Sequence, residues 1–300
     1  MIGVKSPNPR YSIRENPAMK KRKTKLKGGT FRFTLIFLAG LSLVLYPAFS
    51  DRWNRAHQAR TVSAYIEEVE GMTDADYAKV LERAQNYNRN ISSRTNIYKQ
   101  SDEEKEEYEA CLNIGNDGVM GYIEIPSLKL SIPIYHGTAE STLQKAVGHL
   151  EWTSLPVGGT GSHCVLSGHR GLPSAKLFTD LDQLVIGDIF ELHVLKETLT
   201  YEVDQIRIVE PDETEDLRIT EGEDYCTLVT CTPYGINTHR LLVRGHRVET
   251  KETKEVRVTS EAVQIEPKLV ALILVIPFLL ILLGVLTIVD HAERNTDDEI

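Results

Sequence analysis

A thiol, an imidazole and a guanidinium stand at similar places in the chain, each where a predicted β-strand meets a turn or loop. Cys231 ends the alternating run Tyr225–Cys231 and is followed by Thr-Pro-Tyr-Gly, which is typical of a turn. His169 stands in a glycine-flanked loop directly after the run Ser162–Ser167. Arg240 begins the next predicted strand, nine residues after Cys231. Reactive side chains at strand ends gain exposure while keeping a rigid base.

These three side-chain types together support acyl transfer. An imidazole near a thiol stabilises the thiolate, which is the nucleophilic form. A guanidinium keeps its charge and can donate to the oxyanion of a tetrahedral intermediate or hold the substrate backbone. The sequence therefore predicts Cys231 as nucleophile, His169 as general acid and base, and Arg240 as the group that stabilises the oxyanion or the substrate.

The remaining cysteines and histidines are assigned no chemistry. Four cysteines in 300 residues are too few for a disulfide scaffold. Cys164 and Cys226 are expected to be small core residues, and a disulfide between them stays an open alternative. His163 and Cys164 face opposite sides of one strand, so they cannot share a metal ion. We predict no metal site and no cofactor.

The pattern from Gly118 onward predicts a mainly β fold. Seven or more short runs, β-branched or alternating and separated by Gly, Pro and Asp, suggest a closed antiparallel barrel. The predicted strands are residues 121–126, 128–135, 162–167, 188–195, 198–209, 225–231 and 240–248. Short helices are expected near residues 141–147 and 175–181.

Residues 51–117 are predicted to be helical, because apolar residues recur at spacings of three and four. Gly71 breaks this pattern, and Thr73 is expected to cap the helix that follows. Ser101 is expected to cap a further helix, with Glu104 completing a capping box.

Charge and hydrophobicity are segregated along the chain. The net charge is −9 and 41% of residues are hydrophobic, which excludes a disordered or collagen-like protein. Residues 1–32 carry a charge of +9, residues 290–300 carry −4, and the stretch between them therefore carries −14. A polybasic arm before an apolar segment serves topology and contact with anionic lipid, so we predict no nucleic-acid binding.

Two apolar segments flank the predicted barrel. Residues 33–49 contain no charge, and residues 269–289 are twenty-one consecutive uncharged residues, long enough to cross a bilayer as a helix. We predict a basic cytoplasmic arm (1–32), a transmembrane helix or cleaved signal segment (33–50), a helical region (51–117), a catalytic barrel (118–249), a linker (250–267), a transmembrane helix (268–289) and a cytoplasmic tail (290–300). The positive flank predicts that the barrel is exported.

Residues 118–247 resemble a sortase, specifically a pilus-assembling class C sortase. Thr227–Cys231 matches the TLxTC signature of that family, Gly168-His169-Arg170 its histidine loop, and Arg240 its arginine. The stretches 121–126, 155–158, 169–180 and 231–240 are also similar to the pilus class.

The resemblance implies an eight-stranded sortase-type β-barrel and a cysteine transpeptidase. Such an enzyme cleaves an LPxTG-type sorting signal between Thr and Gly, and a pilin lysine then resolves the acyl-enzyme. The expected partners are pilins bearing that signal and an acceptor lysine, together with membrane lipid. The expected location is the plasma membrane of a Gram-positive bacterium, with the catalytic domain outside and both termini in the cytoplasm.

The sequence departs from the pilus class in one respect. That class often carries a lid with an Asp-Pro-aromatic anchor, and residues 51–117 contain no Asp-Pro pair. Residues 90–118 could form a lid using Tyr98 or Cys111, but we expect a lidless or differently closed variant. The alternatives to a pilin polymerase are a wall-anchoring sortase, a hydrolytic cysteine protease and a non-catalytic membrane-tethered binding barrel.

Overall fold

The computed structural model describes residues 27–92, 100–250 and Gly284, with side chains described from residue 36 onward in the first range and up to residue 91. The chain divides into two units, residues 1–42 with 256–300 and residues 43–255. The second unit contains the predicted barrel, and the description below concerns it. Tyr98 and, apart from Gly284, the segment 268–289 lie outside the described residues.

Among the described residues, three helices precede the barrel, in the region that the sequence predicted to be helical. They are α1 (Lys27–Glu70), α2 (Asp74–Ser92) and α3 (Asp102–Ala110). The Thr73 hydroxyl accepts from the Asp76 amide at 3.2 Å, which confirms the predicted cap of α2. Both bonds of the capping box between Ser101 and Glu104 are present at the start of α3. These local signals act within one helical turn, so they could be identified without the fold.

Eight strands form one closed barrel. They are β1 (Val119–Ile125), β2 (Leu130–His136), β3 (Val147–His149), β4 (Ser162–Ser167), β5 (Ile189–Val194), β6 (Glu197–Val209), β7 (Asp224–Thr232) and β8 (His239–Arg247). Their order around the barrel is β1, β2, β3, β4, β7, β8, β6, β5. The eight-stranded barrel that the resemblance implied is therefore confirmed.

Three details of the predicted barrel are wrong. The barrel is not antiparallel throughout, because β2 pairs with β3 and β4 pairs with β7 in parallel. The helix predicted near 141–147 is the single turn α4 (Glu140–Leu143), and Val147 is instead the first residue of β3. The helix predicted near 175–181 is a series of turns that ends in the 3-10 turn Leu181–Gln183.

The two faces of the barrel wall bury different side chains. Cys164, Leu166, Cys226, Leu228 and Val243 point into the main core of the barrel. The alternate residues face outward, where a second apolar cluster is buried under the neighbouring loops. Its buried members are Val165, Val209, Leu217, Val229 and Leu242. This alternation places odd-numbered residues of β4 and β7 on the outer face, which decides where the reactive side chains point.

Within the part of the chain that the structure describes, no helix is both long and apolar enough to cross a membrane.

Candidate active site

The histidine loop and the cysteine leave the sheet at the same end because β4 and β7 run parallel. Ser167 pairs with Val229, and His169 and Cys231 each follow two residues later. Two hydrogen bonds continue the contact beyond the paired residues. The Gly168 amide donates to the Val229 carbonyl at 3.1 Å, and the Thr230 hydroxyl donates to the Gly168 carbonyl at 2.7 Å. The peptide before His169 is thus fixed to the strand that carries Cys231.

Arg240 lies on the other side of Cys231. β7 and β8 are antiparallel, and Cys231 and Arg240 are directly paired in their register. Directly opposite residues share a face of the sheet, with Cβ atoms about 4.5–5.5 Å apart. The three predicted residues therefore meet at one end of three adjacent strands, with Cys231 in the middle.

Cys231 differs from the other cysteines in its exposure. All four cysteines are free; Cys111, Cys164 and Cys226 are buried and Cys231 is half-buried. Burial raises the pKa of the Cys111 thiol to about 12 and that of Cys226 well above its ordinary value. Cys164 and Cys226 are paired across β4 and β7 as free thiols. Because a nucleophile must be reached by substrate, Cys231 is the candidate among the four.

His169 has a carboxylate neighbour that the sequence did not indicate. Its Nε2 atom lies 3.4 Å from Glu140 Oε2, at the start of α4, and this buried nitrogen makes no regular hydrogen bond. A hydrogen bond from Gln144, and secondarily the imidazole of His169, lower the pKa of the Glu140 carboxyl. One ring nitrogen of His169 therefore faces a carboxylate.

Arg170 joins the histidine loop to the end of β7. Its guanidinium donates to the Thr232 hydroxyl at 3.1 Å and forms an ion pair with Asp182. The Arg170 side chain is only 9% exposed, so it acts as an internal brace rather than as a surface charge. Its position directly after His169 fixes the direction in which that loop leaves the barrel.

Arg240 is held by the turn between β7 and β8. Its Nη1 donates to the carbonyls of Asn237 and His239, at 3.3 and 3.1 Å. The Nε2 atom of His239 lies 3.2 Å from Oε1 of Glu210. These contacts use one nitrogen of the guanidinium, and the fork retains further N–H donors for a substrate or oxyanion.

Several described residues of the possible lid region, 90–118, pack in the main core of the barrel. Cys111 is fully buried and lies 3.8 Å from Glu107, at the end of α3. Tyr108 of the same helix packs into the main core and bonds to His149. Cys111 is thus a core residue, and whether residues 90–118 form a lid stays a prediction.

One group of described side chains could hold a metal ion. Ligand atoms of Glu124, Glu191 and His193 lie within 4.8 Å of one another on the outer face of β1 and β5. His193 Nε2 is 3.5 Å from Glu124 and 3.7 Å from Glu191, and it makes no regular hydrogen bond. The strands that carry this group are not those that carry Cys231, His169 and Arg240.

His163, which the sequence set aside as a metal ligand, is a buried neutral side chain. It bonds to the Arg218 carbonyl through Nδ1 at 2.8 Å and to the Thr227 hydroxyl through Nε2 at 2.7 Å. Burial lowers the pKa of this imidazole from 6.5 to about 4. It is 1% exposed, so protonation would place a charge among the outer cluster and its loops.

This shift predicts acid sensitivity. The unfolded chain binds a proton at His163 below pH 6.5 whereas the folded chain does so only near pH 4, so stability is expected to fall as the pH drops between these values. The loss should reach about 3 kcal/mol. Unfolding by urea at pH 7.0 and 4.5 measures it. His163→Gln should weaken the pH dependence of stability. If this variant lost as much stability between pH 7.0 and 4.5, the pH dependence would arise from other groups.

The fold and the site define a class of protein: an enzyme with a half-exposed thiol flanked by an imidazole and a guanidinium on a β-barrel. Comparison with known proteins agrees. Residues 123–248 match the sortase domain family. Sortase C1 from Streptococcus agalactiae is 50% identical, with a TM-score of 0.62, and the match covers 64% of this chain and all of that one.

The match extends to a sortase C solved with a sorting signal. The X-ray structure of Clostridium perfringens sortase C with the C-terminal cell wall sorting motif is 46% identical, with a TM-score of 0.57 over 64% of this chain and all of that one. Sortase D of Bacillus subtilis is 31% identical over 131 residues, which are 43% of this chain and 63% of that protein. This chain thus spans less than two thirds of that curated relative. The chain belongs to the sortase family of cysteine transpeptidases.

Proposed function

We propose that this protein is a transpeptidase that cleaves an LPxTG-type sorting signal between Thr and Gly and joins the acyl group to a lysine of a pilin. The observation that carries the proposal is the placement of Cys231 between His169 and Arg240 on adjacent strand ends. The likeness to a sortase C solved with a cell wall sorting motif supports the substrate class.

In the first half of the reaction, the Cys231 thiolate attacks the carbonyl carbon of the signal threonine. The negative charge that develops on the carbonyl oxygen is stabilised by the free N–H groups of Arg240. Protonated His169 then donates its proton to the departing glycine amine, so that the C–N bond breaks and a thioester remains.

In the second half, an amine replaces the glycine. His169, now neutral, accepts a proton as the amine of the incoming lysine attacks the thioester carbonyl. The C–S bond breaks, the thiolate of Cys231 is restored, and an isopeptide bond joins the two proteins. The carboxylate of Glu140 beside Nε2 favours the charged imidazolium that the first half requires.

We predict that Glu140→Gln lowers kcat/KM about threefold to tenfold at neutral pH. The amide keeps the shape of the side chain but removes the anion that lies beside Nε2 of His169. Glu106→Gln, on the exposed surface of α3, is the matched control and should leave kcat/KM unchanged. An unchanged kcat/KM for Glu140→Gln would show that this carboxylate does not act on His169.

The proposed function is tested by mass spectrometry of the product. The protein is incubated with an LPxTG peptide and a candidate pilin, and the branched peptide at the acceptor lysine is sought. An isopeptide bond that needs the pilin amine supports the proposal. Hydrolysis alone would indicate a protease, transfer only to a wall-peptide amine would indicate a wall-anchoring sortase, and inertness to a thiol-reactive signal analogue would indicate a binding barrel.

We further propose that the enzyme is held in the plasma membrane of a Gram-positive bacterium by residues 33–50 and 268–289, with the barrel outside and both termini inside. The run of basic residues before the first segment and the uncharged length of the second support this topology. Protease added to intact protoplasts should digest the barrel and spare a tag at either terminus. Digestion of both tags by the same treatment would disprove the topology.

A further inference from the structure

An exposed apolar and aromatic surface lies at the N-terminal end of α1 within the barrel unit. We call this surface the aromatic collar; it consists of Leu43, Val44, Tyr46, Phe49 and Trp53. Leu43 is 76% exposed, Phe49 is 70% exposed and Trp53 is 58% exposed. Phe49 and Trp53 stack at 6.4 Å on one another, so their rings form one patch. An exposed apolar patch of this kind marks a contact with a partner or with a membrane.

The collar is adjacent to the loop that carries His169. One turn along α1, the Asn54 amide donates to the Ser174 carbonyl at 2.7 Å, and the Asp51 carboxylate accepts from the Lys176 amide at 2.9 Å. Ser174 follows His169 by five residues in the loop after β4. The N-terminal end of α1 is therefore fastened to the end of the barrel where Cys231 lies.

The C-terminal part of α1 lies against the opposite end of the barrel. The Tyr65 hydroxyl accepts from the Leu195 amide at 2.7 Å and donates to the Met120 carbonyl at 3.0 Å. Leu195 lies in the β5–β6 turn, whereas the other end of β6 pairs with Arg240. Eleven residues of helix separate Asn54 from Tyr65, which corresponds to about 16 Å.

We propose that the aromatic collar is a lipid-binding surface and that the catalytic end of the barrel faces the bilayer. This proposal rests on the membrane location given under the proposed function. Three observations select lipid as the partner. Four of the five collar residues end the uncharged run that begins at Phe33, the collar carries Tyr and Trp, which favour the membrane interface, and the basic residues Arg52 and Arg60 lie within it and shortly after it.

The other connection to the membrane is compatible with this orientation. The chain leaves the barrel at the end remote from Cys231, where the Thr250 hydroxyl donates to the Thr198 carbonyl at 2.9 Å. Residues 251–267 then separate it from the second apolar segment. Seventeen residues can span up to about 56 Å, which exceeds the distance along α1 by a wide margin. The chain is long enough to return past the barrel.

The orientation can be measured on the full chain in vesicles of phosphatidylglycerol and phosphatidylcholine. In a Cys231→Ala background, the three remaining cysteines are buried, so a new exposed cysteine takes a fluorophore selectively. Ile236→Cys labels the turn after Cys231, and Asp74→Cys labels the remote end, where Asp74 contacts Lys196. Energy transfer from each fluorophore to labelled lipid headgroups measures the distance of that position from the bilayer surface. Position 236 is expected to lie nearer the lipid headgroups than position 74.

The two tryptophans supply the second measurement. Trp152→Phe leaves only Trp53, and Trp53→Phe leaves only Trp152, which is half-buried against the outer cluster. Lipids with brominated acyl chains are expected to quench most of the Trp53 fluorescence and little of that of Trp152.

Equal heights, a lower position 74 or an unquenched Trp53 would each overturn the orientation. These variants carry no nucleophile, so the outcome is independent of whether the protein transfers peptides. A failed transfer assay with the expected heights would reject the proposed reaction alone.

Discussion

Cys231→Ala should leave the barrel folded and abolish formation of the thioester with an LPxTG peptide. The alanine fits the half-exposed position without a cavity, but no other thiol can replace the nucleophile, because the remaining three are buried. We expect the rate of signal cleavage to fall by at least about a thousandfold. The measurement is the mass of the protein after incubation with peptide, together with the rate of glycine-amine release.

Cys226→Ala is the matched control for this prediction. It lies on the same strand but points into the barrel core beside Leu228. It should form the thioester as the unchanged protein does, while its free energy of unfolding falls by about 1 kcal/mol from the lost packing. Signal cleavage that persists in Cys231→Ala at the original rate would show that another group is the nucleophile.

Arg240→Ala should lower kcat/KM by about a hundredfold to a thousandfold, because removing an oxyanion donor costs that much in comparable enzymes. The guanidinium is the one cation paired directly with Cys231 in the register of β7 and β8. Arg240→Lys should restore only part of the loss, because an ammonium keeps the charge but lacks the planar fork. Initial rates at several peptide concentrations separate kcat from KM.

Arg244→Ala supplies the control on the same strand and the same face. Arg244 pairs with Asp204 at 2.8 Å, and its register partner is Thr227, four residues before Cys231. This variant should be less stable but should keep kcat/KM within about threefold. If both arginine variants lost activity equally, the effect would belong to the strand and not to the guanidinium of Arg240.

Short-range features could be predicted from the sequence because the groups that make them are neighbours in the chain. The capping box of Ser101 and Glu104 needs only three residues of separation, and it is present. Alternation in the run Tyr225–Cys231 predicted that Cys226 and Cys231 point to opposite faces. The structure agrees, with Cys226 in the core and Cys231 half-exposed.

Long-range pairing could not be predicted in this way. The three residues of β3 are too few to carry a pattern, and their strand character depends on pairing with β2 and β4. The parallel pairing of β4 with β7 joins segments about sixty residues apart, and antiparallel pairing fits the same alternation equally well. Without that parallel pair, His169 and Cys231 would emerge at opposite ends of the barrel.

The sequence by itself indicated the candidate reactive groups, because Cys231, His169 and Arg240 each stand where a strand meets a turn or loop and match a family signature. Only the tertiary structure decided what surrounds them. Glu140 reaches His169 across twenty-nine residues, and α1 fastens its aromatic end beside the histidine loop through Asp51 and Asn54. The sequence position of a carboxylate or an amide does not predict which distant residue it will contact, because that contact exists only after the barrel has closed.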